Sequence, residues 1–385
     1  MSILHEQTAA TFGLYPGGRM LGESHLASVT EVMKARSLYR FYGLDPQQTC
    51  GTLEQSLADF VGSAHALAVS SGTAALHVGL KAVGVGLGDE VILPAYGWVS
   101  DLMAVLSLGA VPVLVDVDHT LGLDAGAVSA ALTPKTKAVI GIHMRGYPCD
   151  VPALAAAVNG HAARLIEDCS QAFGARIAGR PVGGLADIGT FSFQFNKLIT
   201  SGEGGAIATN DDSAYEVARW FHDCGMLRAF AKSNPLGGAS LHGVGVNYRM
   251  SELAAAVLVP QVDPAYIADV LGRLELSWKR AVGFLEPLIA SGLIETRRVV
   301  EGGIPNSACL GVCLTEGASQ DQFIRELERL GLPAAECTAL RDPHNAEVWM
   351  EFMEREGIPF RDLRSPAADQ EMSRTFVFDI IPAQS

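Results

Sequence analysis

The sequence predicts an α/β protein built on a mostly parallel sheet, and two observations point there. From about residue 64, short apolar runs alternate with longer helical patterns, the order that parallel strands joined by crossover helices produce. A chain of 385 residues, 49% of them hydrophobic, can also bury a large core, and ~150 residues per domain suggests two or three folding units.

The elements follow in order. "ALAVS" reads as a strand and "GTAALHVGLKAVGV" as the helix after it; "EVILP", "WVSDLMAVLSLG" and "VPVLVDV" repeat the pattern. "KAVIGIH", "ARLIEDCSQAFGA", "DIGTFSF" and "GGAIATN" bring the sheet to about seven strands, whose carboxyl ends line one edge, where open α/β sheets bind ligands. "NYRMSELAAAVLVPQV" is a helix with apolar residues at helical spacing, and "ADVLGRLELSWKRAVGFLEPLIASG" is a second, long one. A boundary at that long helix separates a large domain, 1–265, with a helical segment at its amino terminus, from a small α+β domain, 266–385. The small domain is read from strand-like "NSACLGVCL", the helix "SQDQFIRELERLG" and the final strand "RTFVFDII". The section 226–246, "MLRAFAKSNPLGGASLHGVGV", is glycine-rich and polar, which predicts a mobile loop over the active site.

Composition narrows the function. A net charge of -14 leaves no basic face for nucleic acid or an anionic membrane, so small molecules are the expected partners. The seven cysteines form no CxxC pair and no zinc-spaced cluster with histidine, which predicts reduced thiols in the cytoplasm and no metal site. No basic, then apolar, leader opens the chain, and no run reaches the ~18 apolar residues of a membrane span.

Three features carry chemistry. In "VSSGTAALHVGL" a strand passes through Ser71, Gly72 and Thr73 into a helix, whose free amides and dipole suit a phosphate; a capped helix start without ligand is the plainer alternative. In "RLIEDCSQAFGA" Asp168 stands at a strand end over the ligand edge, where a capping role is the alternative. In "FSFQFNKLITSGEGG" Lys197 lies between an aromatic strand and a glycine cluster, so it is held at a strand end and can meet Asp168 in one cleft, although a lysine beside a loop is more often an ordinary surface residue. Phosphate cradle, acid and lysine in that order supply what pyridoxal phosphate requires: an anion site, a partner for the ring nitrogen and an amine for the aldehyde. Trp98, in "PAYGWVSD", offers a flat face to the ring, or else is a core residue.

These blocks, together with "GDEVILPAYGWVS", "GAVPVLVDVD", "LTPKTKAVIGIHMRGYPCD", "GTFSFQFNKLITSGEGGAIATND" and "GVNYRMSELAAAV", resemble the DegT/DnrJ/EryC1/StrS family of fold-type I aminotransferases over about residues 18 to 285. "SPAADQEMSRTFVFDIIP" is similar to a drifted form of the family's final segment. The resemblance implies a pyridoxal-phosphate enzyme of amino-sugar or aminocyclitol biosynthesis, with pyridoxamine phosphate as the intermediate form of the cofactor. It implies that Lys197 forms the Schiff base and shuttles the proton, that Asp168 pairs with the pyridine nitrogen, and that Trp98 stacks on the ring. It further implies that Gly72, Thr73 and Ser192 bind phosphate, that Gln171 contacts the cofactor, and that Asn247 reaches the phosphate from the other subunit of a homodimer. The implied reaction is ping-pong transfer from glutamate or glutamine to the ketone of a sugar, nucleotide sugar, cyclitol or related intermediate. A lysine-bearing relative catalysing elimination or dehydration, and a cofactor-binding regulatory protein, are the alternatives. Against the family's usual pattern, Arg145 replaces an aromatic or small hydrophobic residue and Cys224 a histidine. Arg145 is a candidate for a carboxylate or phosphate of the acceptor, Arg249 for the donor carboxylate, and His242 for a substrate contact, each against a purely structural role.

Overall fold

The computed structural model describes residues 11, 14–231, 234–332, 338–339, 344–365 and 372–383. In chain order its strands are β1 (His65–Val69), β2 (Glu90–Pro94), β3 (Val111–Val115), β4 (Thr136–Ile142), β5 (Arg164–Asp168), the short β6 (Arg176–Ile177) and β7 (Arg180–Pro181), β8 (Ile188–Ser192) and β9 (Gly205–Thr209). Beyond these come β10 (Met226–Ala231), β11 (Asn234–Leu241), β12 (Ile294–Thr296), β13 (Gly303–Ile304), β14 (Cys309–Leu314), β15 (Thr338–Ala339), β16 (Arg361–Asp362) and β17 (Thr375–Asp379).

The large sheet has the order β1-β9-β8-β5-β4-β2-β3-β16. Its strands are parallel except β9, which runs against both neighbours. The seven predicted strands are all present, and two-residue β16, from the carboxyl-terminal part, extends the β3 edge. Helices cover both faces, so strands such as "EVILP" are buried at every position and read as continuous apolar runs. One core holds Val91, Leu93, Ile140 and Ile166 from one face of the sheet, and a second holds Ile92, Val139, Leu165 and Phe191 from the other. This arrangement sends the carboxyl ends of β1, β2, β4, β5 and β8, with the start of β9, to one edge.

The helix Pro264–Ala290 leads to an antiparallel sheet of order β12-β14-β17-β15. Leu274 and Leu285 of the helix pack with Leu310, Val312, Phe323, Phe376 and Phe378 in a third core. The opposite face of this small sheet is not separate from the large unit: Cys309 and Val377 share the first core, as do Ala346, Trp349 and Met353 of the helix Ala346–Glu356. The segment 226–246, expected as a mobile loop, instead contains the antiparallel hairpin β10–β11, with Met226 opposite Leu241 and Arg228 opposite Ala239. Backbone pairing needs no apolar side chain, so a polar, glycine-rich run carries little strand signal.

Candidate active site

Lys197, Asp168, Gly72, Thr73, Trp98, Gln171, Ser192 and Arg145 all line one cavity of ≈ 530 Å³ at the carboxyl edge of the large sheet. Each reaches it from a different loop. Gly72 and Thr73 begin the helix Gly72–Ala82, whose N-cap Ser71 accepts from the Ala74 amide at 3.1 Å. The helix start sits close against β8: a Cβ on Gly72 would lie 2.7 Å from Ser192 Cβ and 3.0 Å from its Oγ. Asp168 ends β5 and is almost fully buried; its Oδ1 accepts from the Ser170 amide at 2.9 Å and from Thr190 Oγ1 at 3.4 Å.

The loop after β8 is tightly folded. Phe193 and Phe195 donate to Gly204 and Gly202, Lys197 N donates to Gln194 O at 2.9 Å, and Gly17 N donates to Lys197 O. Gly202 takes φ +84, which glycine adopts without a Cβ penalty. Lys197 is therefore fixed at the base of a turn, as its flanking sequence predicts. Burial lowers the pKa of its amine, and Arg145 adds to this, against the opposing pull of Asp168 and Asp101. The amine is more readily neutral than an exposed lysine.

Trp98 precedes the helix Val99–Ser107 and packs beside His344, with ring centroids 4.9 Å apart. Burial, then Arg145 and Lys197, lower the His344 pKa to about 3, so this imidazole is neutral. Gln171 Oε1 accepts from the Arg145 amide at 3.0 Å, and its carbonyl accepts from Asn306. Arg145 follows β4 with φ 59 and ψ 32, and its guanidinium stands 3.9 Å from Asp379.

Three candidates lie outside the cavity wall of their own chain. Arg249 donates to Asp223 Oδ1 at 2.6 Å and lies over the Tyr39 ring. His242 is exposed and contacts Ser240, and Asn247 is exposed, bridging to Asp223.

Sequence reasoning missed Asp101, Asp379 and His344. Asp101 is fully buried in the first turn of Val99–Ser107, and neither carboxyl oxygen has a hydrogen-bond partner among the described residues. Burial first, then the charge of Asp168, push its pKa well above the ordinary 3.8. Its only sequence signal was a position three residues after Trp98, on the same helix face, where an acid is ordinarily a favourable first-turn residue. Asp379 and His344 come from the far end of the chain, which nothing local ties to the site.

A buried cluster of His143, Glu167 and Cys169 lies behind Asp168. His143 Nε2 meets Glu167 Oε2 at 3.1 Å, and the same carboxylate accepts from the amides of Gly183, Leu185 and Ala186. These bonds anchor the end of β5.

A DegT/DnrJ/EryC1/StrS aminotransferase family model matches residues 20–266. The chain belongs to this family. It is 37% identical over 284 residues to a GDP-perosamine synthase from Caulobacter vibrioides, covering 72% of this chain and 73% of that one. It is 44% identical over 214 residues to an L-glutamine:2-deoxy-scyllo-inosose aminotransferase from Streptoalloteichus tenebrarius, a stretch of 54% of this chain and half the length of that relative. Its fold matches the X-ray structure of an aminotransferase from Psychrobacter cryohalolentis with TM-score 0.82 and 28% identity, over 97% of this chain and 95% of that one.

The chain is thus a pyridoxal-phosphate-dependent aminotransferase. The cavity fits the cofactor: a helix start offers unblocked amides, the glycine at its first position leaves free the space a Cβ would fill against Ser192, and a buried carboxylate and a buried lysine share the wall. Among the described residues no single helix is long and apolar enough to cross a membrane.

Proposed function

We propose that the chain moves the amino group of L-glutamine or L-glutamate, in two half-reactions at one site, to the ketone of a sugar, nucleotide-linked sugar or cyclitol. The observation that carries this is the convergence of Lys197 and Asp168, from separate loops, on the cavity that also receives the start of Gly72–Ala82. The names of the two relatives, one with a GDP-linked product and one with L-glutamine and an inosose, support the substrate class.

When bound, pyridoxal phosphate supplies an aldehyde that exchanges amines and a ring that accepts an electron pair. The residues divide the remaining work. The amides of Gly72 and Thr73, with Ser192 beside them, hold the phosphate at the positive end of a helix. Asp168, held by Ser170 and Thr190, keeps a proton on the ring nitrogen. Trp98 covers the ring, and Gln171, fixed by its bond to Arg145, packs beside it. Lys197 Nζ, whose pKa burial lowers, would be the nucleophile that anchors the cofactor. When free, its amine would be the base that moves a proton from the donor's α-carbon to the cofactor, and in the second half-reaction from the cofactor to the acceptor carbon.

A homodimer belongs to the same reading, with Asn247 completing the partner's phosphate site. Asn247 is exposed in its own chain, and nearby Leu241 and Val244 expose 78% and 90% of their surface. A reducing, cytoplasmic setting belongs to it too, on the spacing of the cysteines, which holds no CxxC pair. The test is absorbance spectroscopy of cofactor-loaded protein before and after L-glutamine and L-glutamate. The visible band should convert to the near-ultraviolet pyridoxamine form in the native chain and stay unchanged in Lys197→Ala. Failure of every amino acid to convert the native protein would overturn the transaminase assignment.

A further inference from the structure

Among the described residues, the cavity wall carries one permanent cation, Arg145, beside Lys197, whose amine burial makes more readily neutral; the third basic group, His344, is neutral near pH 7. Lys197 is engaged by the chemistry, which leaves one guanidinium on the substrate side. That guanidinium is held in an unusual way. Its residue adopts the left-handed backbone region, which an arginine enters only at a conformational cost. The turn is fixed from both sides: Gln171 Oε1 accepts from the Arg145 amide, and Gly146, at φ 83, leaves no room for a Cβ against Asn306 Oδ1 at 2.1 Å. Strain that the surroundings enforce at a cavity wall points to a placed side chain.

The placed group is incompletely paired. Among the described residues Arg145 Nε is buried without a hydrogen-bond partner; the guanidinium lies beside the Tyr96 hydroxyl, and the one carboxylate near it, Asp379, stands at 3.9 Å, too far for a good hydrogen bond. A guanidinium presents a planar fork that matches a carboxylate with two parallel bonds, so this fork suits the carboxylate of a substrate. Arg249, the other arginine considered for such a role, is committed to Asp223 and lies outside this cavity.

We infer that Arg145 binds the α-carboxylate of the amino acid donor, and that Asp379 is its placeholder, pairing with it while the uncharged, hydroxyl-bearing keto ring of the acceptor occupies the same cavity. The inference rests on the transaminase reading above and names the residue that makes one cavity accept two unlike substrates. An amino acid donor always brings a carboxylate, whereas a cyclitol ketone brings none. A guanidinium without a nearby acid would leave a buried charge uncompensated in the second half-reaction, which Asp379 prevents.

The test follows the first half-reaction by the spectral change of the bound cofactor, across concentrations of L-glutamine and of 4-aminobutanamide, which is glutamine without its α-carboxylate. Arg145→Gln should raise the half-saturating concentration of glutamine about 10- to 100-fold, as loss of a charge-assisted pair does, and affect that of 4-aminobutanamide far less, since the truncated donor shares only the change at Lys197. Asp379→Asn, which keeps the arginine and removes its competitor, should lower the glutamine value several-fold. Calorimetry of cofactor-free protein with glutaramate, glutamine without its amine, should show binding in the native chain and none in Arg145→Gln. Equal losses with both donors, or an unchanged glutamine value in a variant that still binds cofactor, would overturn the assignment while leaving transamination standing. Absence of conversion in the native chain would remove both.

Discussion

Asp101 is fully buried against Asp168, and among the described residues neither of its carboxyl oxygens meets a hydrogen-bond donor. Lys197 and Asp168 were legible because a lysine and an acid at strand ends are unusual enough to need a reason, whereas an acid in a first helical turn is ordinary. Only its burial against Asp168 reveals Asp101 as a group that holds its proton. The sign of the consequence is fixed by linkage: a carboxyl whose folded pKa is raised keeps its proton while the unfolded chain loses it. Stability is therefore lost as pH rises above about 4, through the folded value. Asp101→Asn keeps the shape and removes the titration. In cofactor-free protein it should raise Tm by a few degrees at pH 8, where the folded acid otherwise has to hold its proton or bury its charge beside Asp168, and change little at pH 4. A thermal melt series from pH 4 to 8 checks this; equal shifts at both ends would show that the proton is not the cause.

At the scale of single elements, the start of Gly72–Ala82 shows how a local rule and a tertiary contact combine. Ser71 is the N-cap that its position predicts, but the cradle depends on the approach of Gly72 to Ser192, which no periodicity contains. Gly72→Ala improves helix propensity by up to ~1 kcal/mol, yet puts a methyl 2.7 Å from Ser192 Cβ. The helix start must shift away from the phosphate. The expected result is pyridoxal phosphate affinity weakened about tenfold or more, ~1.4 kcal/mol per decade, in a protein whose far-ultraviolet dichroism is unchanged; titration of cofactor into the apo protein measures it. The hairpin β10–β11 shows the opposite case, an element held by backbone pairing that its side chains do not announce.

At the scale of the whole molecule, the carboxyl-terminal part supports the large sheet as well as its own. Trp349 is among the largest fully buried side chains and lies in one core with Leu93 and Ile140. Trp349→Ala should cost ~3–5 kcal/mol, read by denaturant unfolding, and should loosen cofactor binding because Gly97 N donates to His344 O and Ala346 N donates to Ala95 O, next to Trp98. The proposed homodimer is checked by sedimentation: the native chain should run as twice its 40.6 kDa mass, and Asn247→Ala should keep that mass but bind cofactor more weakly. A monomer that converts its cofactor at full rate would remove the shared site. The sequence by itself determined the parallel sheet, its binding edge and the lysine, acid and helix start that stand there, because strand ends, helix caps and rare residue types are encoded within a few positions. Only the tertiary structure decided the rest: Asp101 against Asp168, Gly72 against Ser192, and Arg145 facing Asp379 across 234 positions of chain. Those pairings depend on packing between distant segments, and distance through space is not written in local periodicity.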